Sequence, residues 1–285
     1  MAIRDFDPWK DPLCTCPKKY SLNPYTGCEH RCIYCYMTSY IPNGFNCRVK
    51  KGLLKKVRKE GRKLNPSLPI SISNSSDPYT PMEEEHRLTR ACLRLLKEFK
   101  VLIITKSDLV TRDLDLLSDM RAGVSMTITT LDEELAGRLE PYAPPPERRL
   151  KALERLIESG MSVSCRIDPI IPRVNEDAGL LIKELSHIGV SQVISSTFKP
   201  RYDSWKRFEG TFEEESRTLK DLYFEHGTRH KNAFYLPSEV RFKLMKGVRR
   251  LCDKCGMTFS ACREGFDLDT AESCDGSHLI NTISS

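Results

Sequence analysis

Six short β-like runs alternate with amphipathic helical patterns over residues 18–200, and this alternation is the strongest constraint on the fold. The predicted strands lie at 18–22, 69–73, 101–105, 124–129, 162–168 and 191–197. The predicted helices between them lie at 86–99, 109–120, 146–159 and 179–189. Because βα units lay their strands parallel in a sheet that helices cover, we expect a sheet curled into a partial or complete barrel.

Several predicted strands carry polar residues along one face, whereas the lumen of a closed barrel is usually filled by branched apolar side chains. In the fifth strand, Ser162, Ser164, Arg166 and Asp168 alternate with apolar residues. These polar faces are predicted to point inward, so the lumen is predicted to be an open, hydrated ligand cavity. Ligands of parallel sheets bind beyond the carboxyl ends of the strands, and we expect the site there.

The βα pattern stops near residue 200 in the sequence. The chain therefore divides into a predicted N-terminal arm (1–17), a barrel core (18–200) and a helical or irregular, cysteine-rich C-terminal extension (201–285). No apolar run approaches the roughly 18 residues that a membrane span needs. The acidic and aromatic start, MAIRDFDPWKDP, does not read as a targeting peptide, so we expect a cytoplasmic protein.

Twelve cysteines in a chain of 285 residues need an explanation. A chain of this length does not depend on disulfides, and clustered cysteines in a reducing compartment more often bind metal. Three of them, Cys28, Cys32 and Cys35, follow the first predicted strand on a short loop with the spacing C-x3-C-x2-C. Three thiolates leave one iron of a [4Fe-4S] cluster open to a chelating ligand, whereas four would close it. A zinc site completed by His30 is the alternative.

The segments around this triplet resemble one enzyme family. The stretch NPYTGCEHRCIYCY is similar to the signature of the radical S-adenosylmethionine (SAM) superfamily. Together with SNSSDPYTP, ITTLDEELAGRLEPYAPPPERRLKAL and RIDPIIPRVNED, it resembles the spore photoproduct lyase-like branch, often called DNA repair photolyase. The resemblance covers roughly residues 20–200. It implies a partial (β/α)6 TIM-type barrel, a [4Fe-4S] cluster, SAM, and hydrogen abstraction from a bound substrate.

The same resemblance implies where SAM binds. Ser76 and Asp77 follow the second predicted strand, where the superfamily holds the methionine end of SAM. Thr129 and Thr130 fall where the ribose or carboxylate is often contacted. Arg166 and Asp168, on the fifth strand, are expected near the adenosyl group. Alternatively, Asp77-Pro78 starts a turn and Asp168-Pro169 ends a strand.

Spore photoproduct lyase uses an additional cysteine to return a hydrogen atom to its substrate. No residue of this sequence clearly takes that role. Cys92 lies in a helical pattern and Cys165 on the apolar face of its strand, so both are predicted to be core residues. Cys47 is the remaining candidate donor. The weak support for it argues against thymine-dimer repair as the reaction.

A second group of cysteines lies near the C-terminus. Cys252, Cys255, Cys262 and Cys274 fall within 23 residues and are predicted to bind an auxiliary [4Fe-4S] cluster or a zinc ion, with His278 as a substitute for the last of them. The sequence does not assign the pair Cys14 and Cys16: it either supplies ligands together with Cys47 or is exposed to solvent.

The net charge of +6 is concentrated in residues 48–63, which hold nine Lys or Arg and one Glu. This segment and the basic residues 241–250 suggest a DNA or RNA partner, although a solvated helix face explains such a run equally well. We therefore expect a radical SAM enzyme acting on a bulky substrate, with a ferredoxin- or flavodoxin-like electron donor. The alternatives are a peptide- or protein-modifying radical SAM enzyme and a non-catalytic, zinc-bearing nucleic-acid module.

Overall fold

The computed structural model describes residues 1–7 and 11–280, so parts of the predicted arm (8–10) and extension (281–285) lie outside the described residues. The strands are β1 (Ile3–Asp5), β2 (Tyr20–Leu22), β3 (Tyr25–Thr26), β4 (Arg48–Val49), β5 (Ile70–Ile72), β6 (Val101–Thr105), β7 (Ala122–Thr127), β8 (Ser162–Ile170), β9 (Gln192–Thr197), β10 (Thr228–His230), β11 (Ala233–Tyr235) and β12 (Thr258–Ala261).

The helices are α1 (Leu53–Gly61), α2 (Met82–His86), α3 (Leu88–Leu95), α4 (Leu114–Leu117), α5 (Glu133–Leu139), α6 (Pro146–Glu158), α7 (Gly179–His187), α8 (Tyr202–Thr211), α9 (Glu213–Phe224) and α10 (Ser238–Lys254). Short 3-10 helices lie at Met37–Ser39, Asp108–Asp113 and Ser277–Leu279. None of the described helices is long and apolar enough to cross a bilayer.

The main sheet of the described residues has eight strands in the order β1-β2-β5-β6-β7-β8-β9-β12. Every neighbouring pair is parallel except β1 with β2. All six predicted strands are present, as β2 and β5 to β9, with ends that differ from the predicted ones by two residues or fewer. The predicted α/β fold with a partial TIM-type barrel is confirmed. Because β1 and β12 are edge strands in this order, the barrel has an open seam between its first and last strands.

The prediction that the βα pattern ends near residue 200 is wrong. After α10 the chain forms β12, which runs parallel to β9 from Thr258 opposite Gln192 to Ala261 opposite Ser195. This last βα unit was missed because four residues are too short for an alternating pattern, and because two helices and a hairpin come before it. The division of the chain into arm, core and extension stays a prediction.

The strand β8 has one polar and one apolar face, as predicted, but the lumen next to its polar face is filled. Cys165 and its apolar neighbours pack in the main hydrophobic core, whereas Ser164 Oγ donates to Ser125 Oγ of β7 over 2.9 Å on the inner face. A Cβ added to Gly276 would lie 2.9 Å from Ser164 Oγ and 3.2 Å from Gln192 Oε1. The C-terminal segment 273–280 therefore fills this level of the barrel, and the expected open, hydrated lumen is wrong there.

The predicted helix 86–99 is interrupted, and Glu83 explains how the break is stabilised. Arg87 has φ +49°, so α2 ends and α3 begins at this residue. The buried Glu83 carboxylate accepts the free N–H groups of Thr89 (2.8 Å) and Arg90 (3.2 Å) at the start of α3. It also accepts from Arg112 Nη2 over 2.7 Å. One side chain thus caps a helix and balances a charge.

Replacing Glu83 tests this role. Glu83→Gln removes the negative charge opposite Arg112 and weakens the cap, so we expect the free energy of unfolding to fall by about 2–3 kcal/mol. The midpoint of urea denaturation measures the change. Glu84→Gln is the matched control, because Glu84 lies on the same helix with its side chain exposed. Equal midpoints for the two variants would contradict the assignment.

Candidate active site

The cysteine triplet lies on a loop that a short β-ribbon closes at its base. The ribbon pairs β3 with β4, and Cys28 N–H donates to Gly44 O over 2.8 Å. Gly27 has φ +83°, and a Cβ there would lie 2.6 Å from the carbonyl oxygens of Gly44 and Asn46. Only glycine fits this approach without moving the backbone. The ribbon therefore holds the first cysteine beyond the carboxyl end of β2.

Backbone N–H groups point at two of the three thiols. The Cys28 thiol accepts from the N–H groups of His30 and Asp77, and the Cys35 thiol accepts from that of Met37. Such donors stabilise a thiolate, and hydrogen bonds to the sulfurs are a normal part of iron–sulfur sites. Burial raises the pKa of Cys32 to about 12, so metal binding there must release a proton. The donor set fits a thiolate-bound cluster.

Arg207 of α8 holds the carbonyl groups of the same loop. Its Nε donates to Ile33 O over 3.0 Å, and its Nη2 donates to Cys35 O over 2.7 Å. The Nη2 also donates to Thr38 Oγ1 over 2.9 Å, and Thr38 in turn bonds to Asp203. Nothing in the sequence pattern singled out Arg207, because it lies on a helix far along the chain from the triplet.

A buried charge network supports the loop from beneath. Glu140 pairs with Arg149 and accepts a hydrogen bond from Tyr34, and Lys106 lies 5.5 Å from the centre of the Tyr34 ring. Burial alone would raise the pKa of Glu140, but Arg149 and Lys106 hold it below its ordinary value. The Glu140 carboxylate therefore stays ionised. Glu140 and Arg149 both fall in a segment that carried the family resemblance, which was the available signal for them.

The predicted pair after the second barrel strand takes two different roles. Both oxygens of Asp77 already accept hydrogen bonds, from Thr105 Oγ1 (2.6 Å) and from Lys106 N–H (2.7 Å). Asp77 Oδ2 also lies 3.5 Å from His30 Nδ1. His30 belongs to the loop 27–47, which carries the cysteine triplet and is called the cluster loop. Asp77 Oδ1 also accepts from Tyr79 N–H over 2.9 Å, as the alternative turn role requires, and its role as a SAM contact stays a prediction. The buried Ser76 hydroxyl, in contrast, has no hydrogen-bond partner among the described residues.

The other predicted SAM contacts lie at the ends of β7 and β8. The buried Thr129 hydroxyl is also without a hydrogen-bond partner within the described chain, whereas Thr130 Oγ1 accepts from Asp132 N–H in a turn. Arg166 and Asp168 form an ion pair of 2.8 Å, with 12% and 24% of their side chains exposed. The barrel is thus open at the level of this pair, above the serines that the C-terminal segment covers.

Cys47, the candidate hydrogen donor, lies within the loop structure. It is buried, and its thiol is hydrogen-bonded to Thr80, which itself donates to Glu29 over 2.8 Å. Burial raises the pKa of Cys47 to about 11. Cys92 and Cys165 are fully buried in the main core, as predicted.

The structure does not bring the predicted C-terminal cysteines together, because β12 lies between them. Cys255 precedes β12, and its carbonyl accepts from Ser186 Oγ at the end of α7. Cys262 follows β12 and donates its N–H to Ser195 O, near the carboxyl end of β9. Because a strand rises about 3.3 Å per residue, β12 separates Cys255 and Cys262 by its whole length. The two cysteines therefore lie at opposite ends of the strand. Cys252 is buried in the main core.

The chain is similar to one protein family and to several known proteins. Residues 22–185 match the family model of the radical SAM superfamily. The uncharacterized protein ORF301 of Acidianus two-tailed virus is 32% identical over 232 residues, which is 73% of this chain and 76% of that protein. The uncharacterized protein MJ0683 of Methanocaldococcus jannaschii is 36% identical over 162 residues, or 54% of this chain and 61% of that protein.

Two groups of solved structures share the fold. A spore photoproduct lyase variant with dinucleoside spore photoproduct aligns with a TM-score of 0.66 and 18% identity, over 84% of this chain and 75% of that one. Streptococcus suis SuiB bound to its precursor peptide SuiA aligns with a TM-score of 0.56 and 19% identity, over 87% of this chain and 49% of that one. With a family model that matches more than half of its residues, the chain belongs to the radical SAM superfamily.

Proposed function

We propose that Cys28, Cys32 and Cys35 hold the [4Fe-4S] cluster that the family implies, and that the open iron binds SAM. When bound and reduced by an external electron donor, this cluster would supply one electron that breaks a C–S bond of SAM to give methionine and a 5′-deoxyadenosyl radical, and the radical would abstract a hydrogen atom from the substrate. The observation that carries the proposal is a loop at the carboxyl ends of the barrel strands whose thiols accept backbone N–H groups. The family assignment favours this enzyme over the non-catalytic zinc module.

The chain's own residues bind and orient the ligands. The buried Ser76 and Thr129 hydroxyls are suited to polar groups of SAM, because a buried hydroxyl without a partner is costly. Arg166 and Asp168 offer a donor and an acceptor at the open level of the barrel, where the adenosyl group is expected. Asp77 lies beside His30 of the cluster loop and acts as a positioning residue for the cysteine triplet. Thr130 Oγ1 accepts from Asp132 N–H, which leaves its hydroxyl hydrogen to donate to SAM.

Anaerobic reconstitution tests the cluster assignment. With iron, sulfide, dithionite and SAM, the wild-type protein should release 5′-deoxyadenosine, which chromatography detects. Cys28→Ala should abolish this product, because the cluster loses a ligand. Cys92→Ala, a buried core cysteine, should retain it. An iron-loaded, reducible protein that does not cleave SAM would refute the proposal. A ferredoxin or flavodoxin in place of dithionite tests the proposed electron donor.

The Glu140 network should control both stability and the order of the cluster loop. Glu140→Gln leaves Arg149 and Lys106 without a buried counter-charge, so the free energy of unfolding should fall by about 3–5 kcal/mol at pH 7. A carboxylate with a lowered pKa stabilises the fold above its unfolded-state pKa, about 4.3, and loses this effect as pH falls through the lowered native value.

Urea denaturation at pH 7 and in the acid range measures both effects. The wild-type protein should lose this part of its stability on acidification, whereas Glu140→Gln should lack that loss. Glu147→Gln, on the helix α6 that carries Arg149, is the control and should behave as wild type, because the ion pair of Glu147 with Lys151 is exposed. A Glu140→Gln midpoint equal to that of wild type would rule out the network.

We further propose a nucleic-acid substrate, since aromatic and basic groups flank the cluster loop. Tyr36 and Tyr40 are about two-fifths exposed, their rings stack with centroids 6.2 Å apart, and Arg201 lies over both rings within 6 Å. Exposed aromatic rings with arginine are the usual contacts for single-stranded bases. The dinucleoside photoproduct in the structurally similar lyase is consistent with such a substrate.

The two predicted basic segments contribute unequally. Within 48–63, Arg48 donates to loop carbonyls and Lys50 donates to Asn23 O, so these two are structural. The remaining lysines and arginines of α1 are exposed, directly after the ribbon of the cluster loop. Within 241–250, Arg241 is buried in an ion pair with Glu264, so its assignment to a nucleic-acid surface is wrong. The α1 surface is the stronger candidate.

Salt dependence tests this surface. A triple variant in which Lys55, Lys56 and Lys59 are changed to Ala loses three positive charges. For single-stranded DNA or RNA, its plot of the logarithm of the association constant against log [salt] should have a slope that is shallower by about 2. Fluorescence anisotropy measures the slope. A triple alanine variant of other exposed lysines, Lys97, Lys183 and Lys220, should keep the wild-type slope. No binding to DNA or RNA at low salt would favour the peptide substrate, of which the precursor peptide of SuiB is an example.

A further inference from the structure

The open seam of the barrel is crossed by the chain segment 11–19. Asp11 Oδ2 accepts from Arg263 Nε over 2.8 Å, next to the carboxyl end of β12. Leu13 packs so closely on Gly265 that a Cβ there would lie 2.8 Å from its Cδ2. The segment then returns to Lys19, whose buried ammonium pairs with Asp275. Both ends of the chain thus meet in the seam.

Four cysteines gather along this crossing. Cys16 and Cys274 Sγ atoms lie 3.4 Å apart, and the Cys14 and Cys16 thiols are hydrogen-bonded to each other. The Cys262 thiol lies close enough to interact electrostatically with all three. Two of these residues come from the segment 11–19, and two from the region after β12. Three of the twelve cysteines already belong to the cluster loop, so this group is a separate one.

Cations surround the group. The Arg166 guanidinium hydrogen-bonds to the Cys262 thiol, and Lys199 Nζ donates to Cys262 O over 3.4 Å. Lys19 lies within electrostatic range of Cys16 and Cys274. Four thiolates around a metal carry a net negative charge, which neighbouring cations and N–H donors stabilise. Neutral thiols in a protein core carry no charge that such cations would balance.

We propose that Cys14, Cys16, Cys262 and Cys274 hold a second iron–sulfur cluster in the seam of the barrel. This ligand set differs from the predicted one. It keeps Cys262 and Cys274, and it has Cys14 and Cys16 in place of Cys252 and Cys255. With four thiolates the cluster is fully ligated. It does not depend on the first cluster, because the two sets share no residue.

We assign a cluster rather than a single zinc ion because the four thiols do not converge on one point, although the Cys16–Cys274 pair taken alone has a spacing close to that of zinc ligands. In residues 1–7 and 11–280, no three thiol, imidazole or carboxylate donors converge as one metal ion requires. Zinc would need four sulfurs at about 2.3 Å from one point, whereas a cluster spreads its ligands around a larger body. The Sγ atoms of Cys16 and Cys274 are closer together than two ligands of one cluster. Cluster binding therefore requires one of these two side chains to rotate. Cys16 lies in a segment without regular structure, which permits that turn.

The proposed centre faces the reaction cavity. Its ligand Cys262 bonds to Arg166, which pairs with Asp168 at the open level of the barrel. Tyr36 of the cluster loop is within electrostatic range of both Asp168 and Arg263. The second cluster would therefore lie across the cavity from the loop that holds the first one.

The test uses a protein without the first cluster. In the Cys28→Ala, Cys32→Ala, Cys35→Ala background, anaerobic reconstitution should still leave about four iron and four sulfide per chain. Dithionite reduction should then give the electron paramagnetic resonance signal of a reduced cluster. Adding Cys262→Ala or Cys274→Ala should reduce the iron to a small fraction of that value. Adding Cys252→Ala or Cys255→Ala should leave it unchanged.

Other outcomes overturn the proposal. Iron that survives Cys262→Ala, or that is lost on Cys252→Ala, would refute the ligand set. Zinc bound by the same four residues would refute the cluster, and a Cys16–Cys274 disulfide found by mass spectrometry of anaerobically purified protein would refute a metal centre. Circular dichroism of each variant establishes that loss of iron is not loss of the fold. Failure of SAM cleavage by the wild-type protein would leave these iron counts unaffected.

Discussion

The ion pair between Glu140 and Arg149 is the interaction on which the candidate site depends most. A buried carboxylate is unfavourable by itself, and it becomes favourable here because a guanidinium, an ammonium and a phenol surround it. Through Tyr34 this pair reaches directly into the cluster loop. Arg207 holds the same loop from the opposite side through its carbonyl groups. The loop, which contains one short 3-10 helix, is thereby fixed by charged side chains of two helices.

The sequence predicted the barrel strands well and the connections between elements less well. Strands such as β6 and β8 have clear alternation or apolar clusters between turn residues, so local pattern was sufficient. The break at Arg87 depends on the capping of α3 by a glutamate that pairs elsewhere in space, which no local pattern contains. The same holds for Arg241, whose burial follows from its partner Glu264 in a later loop.

The cysteines show the limit of spacing as a guide to metal sites. The triplet of the cluster loop is contiguous, so its grouping could be read directly. For the C-terminal cysteines, closeness in sequence was misleading, because a strand between Cys255 and Cys262 separates them by the height of the sheet. For Cys14 and Cys16 the sequence offered Cys47 as a partner or exposure to solvent, whereas their neighbours in space are Cys262 and Cys274, which lie far along the chain.

The seam also has a consequence for the order of events during synthesis. Cys16 and Cys274 are separated by 258 positions in the chain, and the latter lies beyond the last barrel strand. A nascent chain has to emerge from the ribosome beyond residue 274 before its early cysteines meet their partners, so contacts in the seam form later than those among the barrel strands. Until then the polar inner faces of β7 and β8 at Ser125 and Ser164 stay uncovered. Closure of the seam therefore comes after synthesis of the last barrel strand.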